Sequence, residues 1–169
     1  DCIIYGTGFE VGTELAHRAG FETVGRDGVT LSEYWADGMR TKHGINVHGF
    51  PNAFWVQPTQ GANLISNIPH NIVESGMTIA MMIRHAVDGG FRTVEVSKEA
   101  EDAWLELLKT GPGMMLGSPD CTPGYYNNEG QPIPESAKMN VGYPAGATAY
   151  FKYIKEWRES GDFDGIEFA

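Results

Sequence analysis

The stretch from Ser66 to Gly90 constrains the fold more than any other part of the chain. Ile68, Ile72, Val73, Met77, Ala80, Ile83 and Val87 recur at steps of three and four residues, the spacing that gathers side chains on one face of a helix. Ser66 or Asn67 can accept from the first amides, Pro69 falls within the first turn, and Gly89-Gly90 supply a stop. These signals predict the longest helix of the chain.

Two further helices and several short strands are expected around it. Val94-Glu95-Val96 reads as a strand, and Ser97 then caps a helix with Ala100, Ala103, Trp104, Leu107 and Leu108 as its buried stripe. Its Glu99, Glu101 and Asp102 sit where the positive end of the helix dipole favours acids, and they read as a solvated face rather than as paired catalytic carboxylates. A last helix near 147–159 buries Tyr150, Phe151, Ile154 and Trp157 and closes at Gly161, and 165–168 finish as a strand. Upstream, Asp1 to Tyr5 read as a buried strand ending in Gly6-Thr7-Gly8, Phe21 to Val24 as a short strand, and Phe54-Trp55-Val56 as a second core strand. Residues 111–146 are rich in Gly, Pro and Asn and read as loop. Strands interleaved with helices indicate an α/β layer fold.

Composition narrows the partners. Twelve Lys plus Arg stand against 22 Asp plus Glu, a net charge of -10, which repels nucleic-acid phosphate and anionic lipid. No run of about 18 apolar residues is present, so no membrane span is expected. Cys2 and Cys121 offer the only possible disulfide, which favours a reducing compartment, with the cytoplasm as the default. The five histidines lack helical i, i+4 pairing and no metal site is expected. The serines lack a glycine elbow, so a hydrolase triad is unsupported. A nucleotide-binding α/β domain needs a Gly-rich phosphate turn leading into a helix, and Gly6-Thr7-Gly8-Phe9-Glu10-Val11 fails at its last glycine.

Three segments carry a resemblance: Asp1-Cys2-Ile3-Ile4-Tyr5-Gly6-Thr7-Gly8-Phe9-Glu10; Gly49-Phe50-Pro51-Asn52-Ala53-Phe54 followed by Gln60 through Asn67; and Cys121-Thr122-Pro123-Gly124-Tyr125-Tyr126 through Gly130. In that order and spacing the chain resembles the C-terminal portion of flavin-dependent Baeyer–Villiger monooxygenases. The resemblance implies a partial FAD/NAD(P)-binding Rossmann-like fold from a protein with two dinucleotide domains. Residues 1–46 would end the NADPH-binding domain and link it onward, and 47–169 would form the last part of the FAD-binding domain. It further implies FAD and NADPH as cofactors, O2 and a ketone as substrates, and insertion of oxygen next to the carbonyl to give an ester or lactone.

The resemblance also implies site residues. Gly6, Thr7 and Gly8 match a turn that passes near the cofactors, although Gly6 stands where alanine is usual. Gln60, Asn63 and Leu64 match the segment beside the flavin, with Ile65 and Ile68 towards the substrate, at the start of a helix whose dipole can face the electron-rich edge of the ring. Pro58-Thr59-Gln60-Gly61 replaces the usual Gly-Pro-Gln-Ser, and Cys121 falls about where some relatives carry a Trp. The catalytic Arg and both phosphate turns are expected upstream, in a missing N-terminal part of the same protein. Alone, the chain is expected to be inactive and to self-associate through apolar surface that the missing part would cover. The competing reading is a stand-alone, non-catalytic domain that uses the scaffold for packing or protein interaction.

Overall fold

Side chains that accept hydrogen bonds from first-turn amides set where three of the helices begin. A computed structural model of the chain describes residues 2–3, 19–63, 66–112, 122, 132 and 139–169. A one-turn helix, α1 (Leu31–Tyr34), opens on a reciprocal box in which Glu33 N–H donates to Thr30 Oγ1 and Thr30 N–H donates to Glu33 Oε2. The long helix α2 (Ile68–Gly89) is capped by Asn67, whose side chain accepts from His70 N–H, and it stops at Gly90 in the left-handed region at φ 72°. After the strand β1 (Val94–Val96), Ser97 caps α3 (Lys98–Lys109) by accepting from Ala100 N–H. The last helix, α4 (Ala147–Ser160), runs between Gly146 and Gly161, and the strand β2 (Ile166–Phe168) pairs antiparallel with β1, Val94 opposite Phe168 and Val96 opposite Ile166.

Two expected strands do not form. Phe21 to Val24 is reduced to a single bridge between Val24 and Thr30. Phe54 to Val56 lies outside any strand: Trp55 N–H donates to Ile45 O, and among the described residues no partner strand runs beside it. The strand read over Asp1 to Tyr5 lies largely outside the described residues.

The main core gathers Met82 and Ala86 of α2, Val94 of β1, Trp104, Leu105 and Leu108 of α3, and Tyr150, Ile154 and Trp157 of α4. Ile45 enters the same core from the preceding segment. That segment is held down by two carboxylates. Glu95 accepts from Gly49 N–H and from the Arg26 guanidinium; Glu101, fully buried, accepts from His48 N–H and from the Tyr34 hydroxyl at 2.6 Å. Glu101 is therefore not on a solvated face as expected, because long-range donors satisfy it inside the protein. Burial pushes the Glu95 carboxyl upwards, but Arg26 and the Gly49 amide outweigh it and hold the group below its ordinary value. On the same helix, Leu105 is buried while Leu107 is exposed, opposite to the expected stripe.

The long helix is rotated away from the reading based on its apolar period. Its inward face carries Asn71, Glu74, Ser75, Thr78, Met82 and Ala86. Val73 is 54% exposed and Val87 69%, whereas Thr78 is 0% exposed. The polar residues fix this setting. Glu74 forms a buried ion pair with Arg158 of α4, Asn71 Nδ2 donates to Asn63 O at 3.1 Å, and His70 packs edge-on against Phe151, while Thr78 satisfies its hydroxyl on Glu74 O of its own helix. Removing one partner of a buried pair leaves the other charge unpaired, so Arg158→Met should cost about 3–5 kcal/mol of unfolding free energy, and Glu74→Leu with Arg158→Met should recover most of it. Urea denaturation followed by tryptophan fluorescence reads both; a double variant no better than the single would contradict the ion pair's role.

Candidate functional site

The approach to α2 is a folded loop stitched to two remote segments. Pro58 O accepts from Asn63 N–H at 2.9 Å, and Gln60 and Asn63 lie in the left-handed region at φ 59° and 64°. Such a conformation is uncommon outside glycine, and asparagine tolerates it better than most residues. Gln60 N–H donates to Val141 O at 2.8 Å, and Tyr143 N–H donates to Gly61 O at 2.9 Å. The contact is close: a Cβ on Gly142 would fall 2.6 Å from Asn63 Cβ, and one on Gly61 would press on the Tyr150 ring.

The side chain of Gln60 points into the interior. Its Oε1 accepts from Thr41 Oγ1 at 2.5 Å, and its Nε2 donates to Met39 O at 2.8 Å and to Met139 O at 3.0 Å. Trp104 Nε1 donates to Gln60 O at 3.1 Å, and the residue is fully buried. Gln60 is thus a strut that joins three stretches of chain. Asn63 O accepts from Ser66 Oγ at 3.0 Å and from Asn71 Nδ2 at 3.1 Å, which ties the loop to the inward face of α2.

Of the residues singled out from the sequence, Gln60 and Asn63 fall in the loop before α2, and Ile68 is half-buried as the first residue of α2. Gly6, Thr7, Gly8, Leu64, Ile65 and Cys121 lie outside the described residues. The sequence reading missed Thr41, Asn71 and 139–143, which hold the loop. Asn71 had a legible signal, a short polar side chain one turn beyond a capping asparagine. Thr41 and Met139 had none, since only the tertiary fold brings them to Gln60.

The start of α2 can face an acceptor, within limits. His70 N–H is taken by the cap, Asn71 N–H by Asn67 O, and Pro69 has none, so among the described residues Ile68 N–H is the first-turn donor left for a group outside the helix. No Lys or Arg occurs in 57–83. This donor set fits the carbonyl edge of an uncharged ring and does not fit a pyrophosphate, which needs several amides or cations together.

Beneath the loop, His43 is enclosed by the rings of Trp104, Trp157 and Tyr153, with its Nε2 3.0 Å from Tyr153 Oη. Burial, aided by the charge of Lys42, holds His43 well below its ordinary value of 6.5, and burial pushes the Tyr153 phenol up to about 12. Among the described residues no three His, Cys, Asp or Glu side chains are grouped to hold a metal ion, and no helix is long and apolar enough to cross a membrane.

No family model matches the chain. Individual proteins do. The FAD-binding monooxygenase hmp7 of Hypomyces subiculosus is 40% identical over 168 residues, covering 99% of this chain and 28% of that protein. The pentalenolactone D synthase of Streptomyces arenae is 38% identical over 172 residues, and Baeyer–Villiger monooxygenase 4 of a Dietzia species is 34% identical over 169. This chain corresponds to one segment of the Baeyer–Villiger monooxygenases. Among solved structures, the polycyclic ketone monooxygenase of Thermothelomyces thermophila superimposes with a TM-score of 0.78 at 30% identity, covering 92% of this chain and 25% of that one. A steroid monooxygenase bound to NADP gives 0.71 at 26% identity. The chain therefore has the α/β fold of part of a flavin monooxygenase and spans little more than a quarter of its curated relatives.

Two outcomes test the loop. Gln60→Leu strips partners from Thr41 Oγ1 and from two carbonyls, and should cost at least about 2 kcal/mol in urea denaturation; a loss within about 0.5 kcal/mol, usual for surface changes, would contradict the strut. His43 is neutral in the fold and gains a proton below pH 6.5 when unfolded, so its contribution is complete above that pH and is lost as pH falls towards the folded value. His43→Gln should therefore lose less stability than the parent chain between pH 7.5 and 5.5, and equal losses would mean that another group sets the acid limb.

Proposed function

We propose that this chain forms one wall of the flavin and ketone pocket of an FAD- and NADPH-dependent Baeyer–Villiger monooxygenase. The observation that carries the reading is the stretch from Gln60 to Asn63, locked from three sides shortly before the start of the longest helix, in a chain that matches such enzymes over 99% of its length. In this reading residues 1–46 end the NADPH-binding domain and lead into 47–169, the last part of the FAD-binding domain. Polypeptide outside this chain supplies the phosphate-binding turns and the catalytic arginine.

The residues divide the work by where they point. Asn63, with Leu64, would hold the flavin, and Ile68 N–H would be free to donate to an acceptor on it. Gly6, Thr7 and Gly8, which lie outside the described residues, would serve the coenzymes as the resemblance implies. Gln60 serves the cofactor indirectly, by fixing the loop backbone against Met39 and Met139. Ile65 and the side chain of Ile68 give the ketone an apolar surface. When bound, FAD reduced by NADPH supplies the chemistry that places one oxygen atom of O2 next to the carbonyl, giving an ester or lactone. The protein's part is to orient the reactants and keep water out.

The test is a chimera in which this chain replaces the matching segment of the Streptomyces arenae synthase, 38% identical to it. With NADPH, ketone and 18O2 it should give an ester or lactone carrying one labelled oxygen. Ile68→Trp should raise KM for the ketone several-fold with flavin content unchanged. A folded chimera that binds FAD but makes no oxygenated product, or an Ile68→Trp variant with unaltered KM, would contradict the proposed wall.

A further inference from the structure

An α-helix that buries its polar side and exposes its apolar side is set the wrong way round for a surface helix. In α2, Glu74, Ser75 and Thr78 are buried while Ile72, Val73, Met77, Ile83 and Val87 are exposed. Val73, Gly76, Ala80, Ile83 and Val87 line up over four turns as an uncharged strip, with Arg84 and Asp88, paired to each other, along one edge. Rotation of the helix cannot hide the strip, because Glu74 would then be pulled from Arg158 and Asn71 from Asn63 O. Gly76 adds a second sign. A Cβ there would meet nothing within 4 Å, yet glycine inside a helix costs about 0.5–1 kcal/mol relative to alanine. Among the described residues nothing offsets that cost.

We infer that this strip is a docking face, buried in the complete enzyme against an apolar layer of the flavoprotein polypeptide that lies outside this chain, whose larger side chains enter the shallow ground at Gly76 and Ala80. The inference rests on the reading above that such polypeptide exists. The reason for choosing that occupant is size: the relatives match nearly the whole of this chain yet keep 29% or less of their own length within the match, so most of each relative has to be accommodated around this segment. A second copy of the chain would cover the same strip, but then the remaining bulk of the enzyme would be left without a contact to a helix that starts at the flavin-facing loop. The face has a functional consequence, since α2 carries Asn67 and Ile68 at its start and docking fixes where they stand relative to a cofactor bound by the other part.

Cysteine accessibility tests this without relying on catalysis. Ala80→Cys on the strip and Lys152→Cys on the open side of α4 should react with a maleimide at similar rates in this chain alone. In the chimera with the Streptomyces arenae synthase, labelling at 80 should slow by about tenfold or more, as expected for a site that reacts only on local opening, while that at 152 stays unchanged. Equal labelling at both positions in a folded chimera would overturn the inference, as would protection at 80 that rises with chimera concentration, which would name a second copy as the occupant. A second pair of changes keeps the question open to refutation if the chimera does not fold. Ala80→Glu with Val87→Glu in the isolated chain should lower binding of an apolar dye several-fold at an unchanged unfolding midpoint; a lower midpoint would show the strip already packed within the chain. Protection at 80 without bound flavin would count against the proposed site and leave the interface standing, and flavin without protection would do the reverse.

Discussion

The buried pair between Glu74 and Arg158 decides how the long helix sits, and the rest of the structure follows from that setting. Two charges taken out of water are tolerable only when each satisfies the other, so the turn of α2 that holds Glu74 must face the turn of α4 that holds Arg158. Once that is fixed, Thr78 and Met82 are carried inward on the same side, and Met82 and Ala86 complete the core over Ile154 and Trp157. The hydrophobic effect alone would favour the opposite rotation, since Ile72, Val73, Ile83 and Val87 offer more apolar surface than the face that is buried.

The same setting anchors the candidate site. Asn71, one turn before Glu74, faces inward and donates to Asn63 O and Ser66 Oγ, so the loop preceding the helix is fixed by the helix it leads into. Gln60 continues the connection to Met39 and Met139, and Trp104 reaches the Gln60 carbonyl from α3. A loop with two non-glycine residues in the left-handed region is expensive to hold and is seen where the surroundings over-determine it. Here the surroundings are hydrogen-bonded neighbours from three distant parts of the chain, at 39–41, 104 and 139–143. A stretch held in this way keeps its shape without a ligand, which under the proposed function is the property that orientation of a flavin and a ketone requires.

Much of this was legible in the amino-acid order, and the boundary between what was and was not is physical. Asn67, Ser97, Gly90 and Gly161 act on their immediate neighbours, so helix positions could be read from a few residues at each end. The period of α2 showed that one face is apolar but could not say what covers it, and the choice of inward face turned on Arg158, 84 residues away. Glu101 looked like a dipole-friendly surface acid because its partners, Tyr34, Arg40 and His48, are 53 to 67 residues distant. Gln60 was found through its resemblance to a flavin-facing position, whereas the inward direction of its side chain depends on Thr41, Met39 and Met139. Phe54 to Val56 has the composition of a strand and no partner strand among the described residues, so intrinsic preference had nothing to pair with.

The central claim is that this segment shapes a flavin pocket whose phosphate-binding elements lie elsewhere in the enzyme. Titration of FAD into the isolated 169-residue chain, followed by flavin fluorescence and absorbance, tests it directly. The account predicts no saturable change at micromolar flavin. Stoichiometric binding, with the shifted absorbance of an enclosed isoalloxazine, would show that the chain holds the dinucleotide unaided and would contradict it.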